Sequence, residues 1–330
     1  LSDGLYETNK KIYQLLRYGV TVREELGQPK ETVWLIDWKN PTNNDFAIAE
    51  EVTVSGKHNK RPDVVLFVNG IAVGVIELKR SSVGVEQGIR QNLDNQKPEF
   101  IEKYFSTMQL VMAGNDTQGL RYGTIETKEK YYLKWKEETD KGFDYLLDKH
   151  ISQLCNKERL LEIIHDFVVF DKGIKKLCRP NQYFGIKAAQ ENIVTKQGGI
   201  LWHTQGSGKS LTMVWLTKWI RENVQDSRVL IITDREELDD QIEKLYTGID
   251  ERIYRTKSGR DLINVLNQKT EMLICSLVHK FGRRSEEGDY DSFIEEIKES
   301  IASDFIAKGN IHVFVDECHR TQSGKLHDAM

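Results

Sequence analysis

Residues 62–80 read PDVVLFVNGIAVGVIELKR. A carboxylate, Asp63, opens the first apolar run. A second, Glu77, closes the next, followed one residue later by the amine of Lys79. The Asn69-Gly70 pair between the runs is a strong signal for a two-residue hairpin. An uninterrupted ladder from that turn pairs Val68 with Ile71 and Asp63 with Ile76, which sends Glu77 to the opposite face of the sheet. One extra residue on the second strand corrects this, and Gly74 is the natural place for such a bulge. Asp63 then faces Glu77, and Lys79 shares their face. Two carboxylates so close repel each other unless a cation sits between them. Mg²⁺ suits the pair, with the Leu78 carbonyl as a further oxygen ligand. Such a site activates water and polarises a scissile phosphate, with Lys79 orienting the nucleophile or offsetting developing charge. Taken alone, a Glu-x-Lys triplet equally describes a salt-bridged strand end.

A second group of residues has the spacing of a phosphate site. HTQGSGKS at 203–210 follows the apolar run GGILW and precedes the helical stretch LTMVWLTKWIRENV. Strand, glycine loop and helix in that order form a P-loop. Gly206, Ser207 and Gly208 turn backbone N–H groups toward phosphate oxygens, and the helix N-terminus adds its dipole. Lys209 would reach the β- and γ-phosphates and Ser210 would hold Mg²⁺. His203 departs from the general pattern, which has a small residue there. Asp316-Glu317, after the apolar run IHVFV, has the form of a Walker B element. Asp316 would hold Mg²⁺, and Glu317 would orient the attacking water.

The elements that must position these groups follow from composition and periodicity. With 330 residues, 39% apolar and 30% charged, the chain is long enough for two domains with buried cores. A net charge of −4 gives no global positive field, so DNA contacts must come from local patches such as Lys57-His58-Asn59-Lys60-Arg61. No apolar run approaches the roughly 20 residues of a membrane helix, and no signal peptide is present, so a cytoplasmic protein with no membrane partner is expected. Cysteines at 155, 178, 275 and 318 form no CxxC pair and fit reduced thiols. His312, Cys318, His319 and His327 match no zinc template.

Residues 5–18 have helical periodicity. WLIDW at 34–38 and FAIAEEVTV at 46–54 read as strands, 84–105 as helix, and MQLVMAGN and 121–124 as further strands. The stretch 128–149 mixes basic and aromatic residues as a nucleic-acid surface would, but its many acids favour a solvated helix or loop with aromatic anchors. A helix at 157–166 leads onward. Apolar runs at 199–202, 229–233, 272–277 and 311–315 between helical stretches predict βαβ units and a parallel sheet. The expected fold class is therefore α/β throughout.

The second half resembles the superfamily 2 helicases and translocases, through HTQGSGKS and DECH. Arg179-Pro-Asn-Gln182 looks like their Q-motif, implying that Gln182 reads adenine. Thr233-Asp234-Arg235 and ICSLVHKF at 274–281 look like motifs Ia and Ib, which usually touch the DNA backbone. Nearly the whole chain is similar to the R (restriction) subunits of type I restriction–modification enzymes. RPDVVLFVNGIAVGVIELKR, GIRQNLDNQKPEF, FVVFDKGIKKLCRPNQYFGIKAA, LWHTQGSGKS, ITDREELDDQ and VDECHRTQSGKLHDAM carry that likeness. His203 is ordinary in that family.

The resemblance implies a PD-(D/E)xK nuclease domain at 1–150, a connecting segment at 151–178 and a first RecA-like lobe at 179–330. It also implies a Gln-x-x-x-Tyr motif supporting the nuclease. Gln91 matches that motif, while Asn95 stands at the tyrosine position. Further implications are ATP and Mg²⁺ as cofactors, double-stranded DNA as track and substrate, and modification (M) and specificity (S) subunits as partners. S-adenosylmethionine would belong to the M subunit. The chain lacks an initial Met and stops soon after DECH, so it is expected to be a fragment that binds ATP and hydrolyses it poorly, without the second lobe and its arginine fingers. Two other readings are a superfamily 2 translocase whose nuclease-like domain only grips DNA, and a non-catalytic docking module. Segment 125–170 is expected to couple nuclease and motor.

Overall fold

The computed structural model describes residues 2–23, 29–138, 142–233, 236–249, 251–277, 301 and 305–316. Two compact units emerge, Leu1–Phe184 and Gly185–Met330.

The first unit opens with helix α1 (Gly4–Tyr18) and a small ribbon, β1 (Val20–Val22) with β2 (Glu31–Val33). Its main sheet follows from β3 (Phe46–Glu50), β4 (Val64–Val68), β5 (Ile71–Leu78), β6 (Leu110–Asn115), β7 (Gly119–Gly123) and β8 (Leu133–Lys134), in that spatial order. Neighbours are antiparallel except β5 and β6, which run parallel because helix α2 (Val85–Asn95) crosses between them. One face packs Leu5, Val65, Val75, Phe105, Met108 and Val111 into a core. The other packs Ala113 beneath Val85 and Ile89 of α2. Helices α3 (Leu146–Leu154) and α4 (Lys157–Asp166) follow, then a hairpin of β9 (Val168–Asp171) and β10 (Ile174–Leu177). Lys175 on that hairpin is buried and donates to Asn9 Oδ1 at 2.8 Å, Gln109 Oε1 at 2.6 Å and the Met108 carbonyl at 3.2 Å.

The chain continues through α5 (Pro180–Val194) and α6 (Lys209–Asn223) to the second sheet. Here β11 (Ser227–Thr233), β12 (Tyr254–Arg255), β13 (Leu273–Leu277) and β14 (Asn310–Val315) lie in the order β12-β13-β11-β14, all parallel. Helices α7 (Glu236–Gly248) and α8 (Gly259–Leu266) connect them. Leu230, Leu262, Val265 and Ile274 form its core. Arg228 is fully buried and donates to the carbonyls of Val265, Leu266, Glu271 and Lys308. Both units are α/β, as the sequence predicts.

Four expected elements differ. Trp34–Trp38 is not a strand, because Asp37 turns the chain by accepting the backbone N–H groups of Lys39 and Asn40, a local alternative to a ladder. The 46–54 strand ends at Glu50, where Glu51 enters the left-handed region at φ 52°. The helix foreseen over 84–105 stops at Asn95, because Pro98 disfavours helical backbone before it; a short 3₁₀ turn, Glu102–Ser106, follows. Residues 199–202 form no strand among the described residues. Headed by Gly198 and Gly199, this run leaves Ile200, Leu201 and Trp202 exposed, with β14 as the sheet edge.

Candidate active site and nucleotide site

The first site begins with the hairpin turn. Asn69 and Gly70 both have positive φ, 50° and 78°, as a two-residue turn matched to strand twist requires. From that turn Val68 faces Ile71 and Phe67 faces Ala72, but Leu66 then faces Gly74. Val73 is the extra residue. The slip falls beside the predicted glycine, and it carries on through Val64 opposite Ile76. Continued by one step, the ladder sets Asp63 against Glu77, close enough for the Asp63 charge to act on the Glu77 carboxyl.

Glu77 is fully buried. Loss of water pushes its carboxyl up to about 8, with the Asp63 charge adding to the rise, while Lys79 and Lys60 pull the other way. Asp63 Oδ2 accepts the Leu78 N–H at 2.7 Å. Lys79 lies 3.8 Å from Glu77 Oε2 and donates to the Leu78 carbonyl at 3.2 Å.

Helix α2 closes the site from above. It approaches closely because Gly88 has no side chain: a Cβ there would meet Ala113 Cβ at 3.0 Å and the Glu77 carbonyl oxygen at 3.4 Å. One turn on, Gln91 Oε1 accepts from Lys79 Nζ at 2.8 Å while Gln91 Nε2 donates to Glu77 Oε2 at 2.7 Å. Asn95, buried another turn on, directs Nδ2 at Glu77 Oε1 over a long 3.4 Å. Asp63, Glu77, Lys79 and Gln91 thus meet at one point, and Asn95 reaches the same carboxylate.

Among the described residues no group of three or more His, Cys, Asp and Glu side chains could hold a metal. The oxygen donors present are two carboxylates and the Leu78 carbonyl, a hard set of the kind Mg²⁺ takes while keeping several waters. The buried pair has the chemistry of a cation site, since a divalent ion would offset the burial cost and the mutual repulsion that raise the Glu77 carboxyl.

The second site starts at α6. Gly206 and Gly208 have φ of 74° and 90°, left-handed values open to glycine, and Lys209 and Ser210 begin the helix. Ser207 is buried, its N–H on the Thr204 carbonyl at 3.2 Å, and its hydroxyl finds no partner. Asp316 is buried at the end of β14, with its N–H on the Ile232 carbonyl at 3.0 Å. Lys209, His203, Thr212 and Asp316 line one cavity of about 900 Å³ that also runs along β14. A lysine and a carboxylate facing one cavity beside a helix N-terminus suit a phosphate and its counter-ion.

Gln182 belongs to the first unit, where its Oε1 accepts the Arg179 N–H at 2.8 Å as α5 begins. Glu317, Cys318, His319, His327, Asp234, Arg235 and residues 278–281 lie outside the described residues. Cys155, Cys178 and Cys275 lie outside any disulfide among the described residues. No described helix is long and apolar enough to cross a membrane.

Linear reading missed the contacts of Lys60, whose ammonium lies 4.0 Å above the Phe100 ring and whose charge acts on Glu77. Lys60 sits in the conspicuous basic run, but no local spacing links it to a ring forty positions on.

Residues 1–130 match the profile of a family described as type I restriction enzyme R protein N terminus, and residues 181–330 match that of the SWI2/SNF2 ATPases. The chain is 30% identical to the type I restriction enzyme HindI endonuclease subunit of Haemophilus influenzae, over 97% of this chain and 32% of that protein. It is 26% identical to the MjaIXP endonuclease subunit of Methanocaldococcus jannaschii, over 96% and 33%. With the SauMSSORF170P endonuclease subunit of Staphylococcus aureus it shares 23% identity over 88% and 31%. The chain spans about a third of the length of these relatives.

Proposed function

Since the chain carries an R-protein N-terminal domain followed by an ATPase domain of the SWI2/SNF2 kind, we propose that it is part of the restriction subunit of a type I restriction–modification complex. In that reading its first unit cuts DNA and its second begins an ATP-driven motor on double-stranded DNA. Cleavage then falls away from the recognition site. The M and S subunits are the partners, S-adenosylmethionine enters only through M, and the complex works in the cytoplasm.

The observation that carries the nuclease reading is the one-residue slip at Val73, which puts Asp63 opposite Glu77. A bulge that re-aims one carboxylate toward another is a built feature. Asp63, Glu77 and the Leu78 carbonyl would hold Mg²⁺, which would supply Lewis-acid polarisation of the scissile phosphate and of the attacking water. Lys79 orients the attacking water and offsets charge growing on the phosphate. Gln91 fixes Lys79 and Glu77 relative to each other through its two amide ends.

In the second unit, Gly206, Ser207 and Gly208 cradle phosphates, Lys209 neutralises them, and Ser210 with Asp316 holds the accompanying Mg²⁺. Glu317 orients water, and Gln182 recognises adenine.

The test assembles the full-length subunit with its M and S partners and follows plasmid cleavage and ATP turnover together. Lys79→Ala is expected to lower cleavage about 100-fold or more with ATP turnover intact. Lys209→Ala is expected to abolish nucleotide binding. Unchanged cleavage by Lys79→Ala would remove the nuclease assignment, and nucleotide binding that ignores Lys209 would remove the motor assignment.

A further inference from the structure

The loop between β3 and β4 is more ordered than an exposed basic segment need be. Val54 and Lys60 exchange backbone hydrogen bonds at 2.9 and 3.1 Å, closing the loop at its base. Inside it, the Gly56 N–H donates to Asn59 Oδ1 at 3.2 Å. The loop then rests on the turn after α2. The His58 N–H donates to the Glu99 carbonyl at 3.2 Å, and the His58 ring lies 5.9 Å from that of Phe100. Gly56 comes so close that a Cβ would stand 2.2 Å from the Phe100 carbonyl oxygen. Five independent contacts therefore hold a loop whose Lys57, His58, Asn59 and Arg61 are all exposed.

Lys60 is the member with a fixed direction. Its ammonium sits 4.0 Å over the Phe100 ring, and among the described residues it forms no ion pair. A ring face holds a cation in place while leaving its charge largely uncompensated. Three residues after Lys60 the chain reaches Asp63 of the site. Arg61 has only an exposed contact with Glu51 at 3.4 Å, of the kind worth little and readily exchanged. On the opposite strand Lys79 is followed by exposed Arg80. Lys60, Arg61, Lys79 and Arg80 thus flank Asp63 and Glu77 along the chain, in a protein whose net charge is −4.

Resting on the nuclease reading above, we propose that the 54–61 loop is a DNA-backbone grip of the nuclease unit, with Lys60 held on Phe100 to bind a phosphodiester beside the scissile one. Lys57 and Arg61 extend the same contact along the strand. Such contacts position the substrate without reading sequence, as a site that cuts away from its recognition sequence requires.

The experiment measures binding of a short DNA duplex to the 330-residue chain by fluorescence anisotropy across a salt series, with Mg²⁺-dependent nicking by the assembled complex alongside. Lys60→Met keeps an apolar stem on the ring and removes the charge. It is expected to weaken binding about fivefold to tenfold at low salt and to reduce the slope of log Kd against log salt by about one. Lys60→Arg should restore both. Lys57→Ala with Arg61→Ala, at exposed positions that bear on no core, should lower the slope by up to about two more. Lys79→Ala should fail to nick. Unchanged affinity and slope in Lys60→Met and in the Lys57/Arg61 pair would overturn the grip. Nicking that persists in Lys79→Ala would instead overturn the nuclease reading, whatever Lys60 does.

Discussion

Glu77 joins stability and metal chemistry in one side chain. Its carboxyl is held up to about 8, against 4.5 for an ordinary glutamate, first by burial and then by Asp63. A group whose folded value is raised binds more protons folded than unfolded between those limits. Its favourable contribution is therefore complete below about 4.5 and is lost as pH rises through about 8. In EDTA, the first unit should lose on the order of a few kcal/mol of stability from pH 5 to pH 8, read as a falling melting temperature. Mg²⁺ should recover much of that loss at pH 8 and little at pH 5, where the proton already does the ion's work. Glu77→Gln, neutral at every pH, should flatten the profile and remove the Mg²⁺ effect. Differential scanning fluorimetry across pH, with and without Mg²⁺, checks this; a wild-type melt insensitive to both would show that Asp63 and Glu77 do not form a cation site.

At the scale of elements, the site depends on how closely α2 lies over β5. Gly88→Ala trades a gain in helix propensity of about 1 kcal/mol against contacts of 3.0 Å to Ala113 and 3.4 Å to Glu77. Gly88→Val adds two methyls that the gap cannot take, and overpacking of that kind costs about 1–3 kcal/mol. Raising α2 also draws Gln91 away from Lys79 and Glu77. The expected result is a near-normal melt for Gly88→Ala and, for Gly88→Val, a loss of cleavage larger than its loss of stability. Cleavage as fast as wild type in Gly88→Val would mean that Gln91 does not hold the site. Much of this region was legible from residues alone. Asn69-Gly70 dictated the turn, and the demand that two carboxylates share a face required a slip near Gly74. What escaped linear reading depended on partners distant in sequence or on local competition. Asp37 diverted a strand into a turn, Pro98 cut a helix short, and Phe100 under Lys60 has no signature at any helical or strand spacing. The GGILW run has a strand's composition, yet it forms no ladder bond among the described residues.

At the scale of the molecule, each unit has a buried basic side chain that fastens remote segments to one another. Lys175 joins the β9–β10 hairpin to Asn9 of α1 and to Met108 and Gln109 at the entry to β6. Arg228 gathers the end of α8, the entry to β13 and the approach to β14 through backbone carbonyls alone. Both work by supplying donors to buried acceptors, so replacing either by methionine takes that donor from the side-chain oxygens of Asn9 and Gln109, or from the Glu271 and Lys308 carbonyls. For Arg228→Met the cost should be about 3–5 kcal/mol, and for Lys175→Met about 2–4 kcal/mol. The sheet that carries Asp316 on β14 is anchored by Arg228, so Arg228→Met should lose nucleotide binding while Mg²⁺-dependent stabilisation of the first unit persists. Lys175→Met should do the reverse. Limited proteolysis with the fragments identified by mass spectrometry would show which unit has opened in each variant. Opening confined to the mutated unit means that the two units fold on separate cores. Opening of both by either substitution would mean that the two fold as one cooperative body.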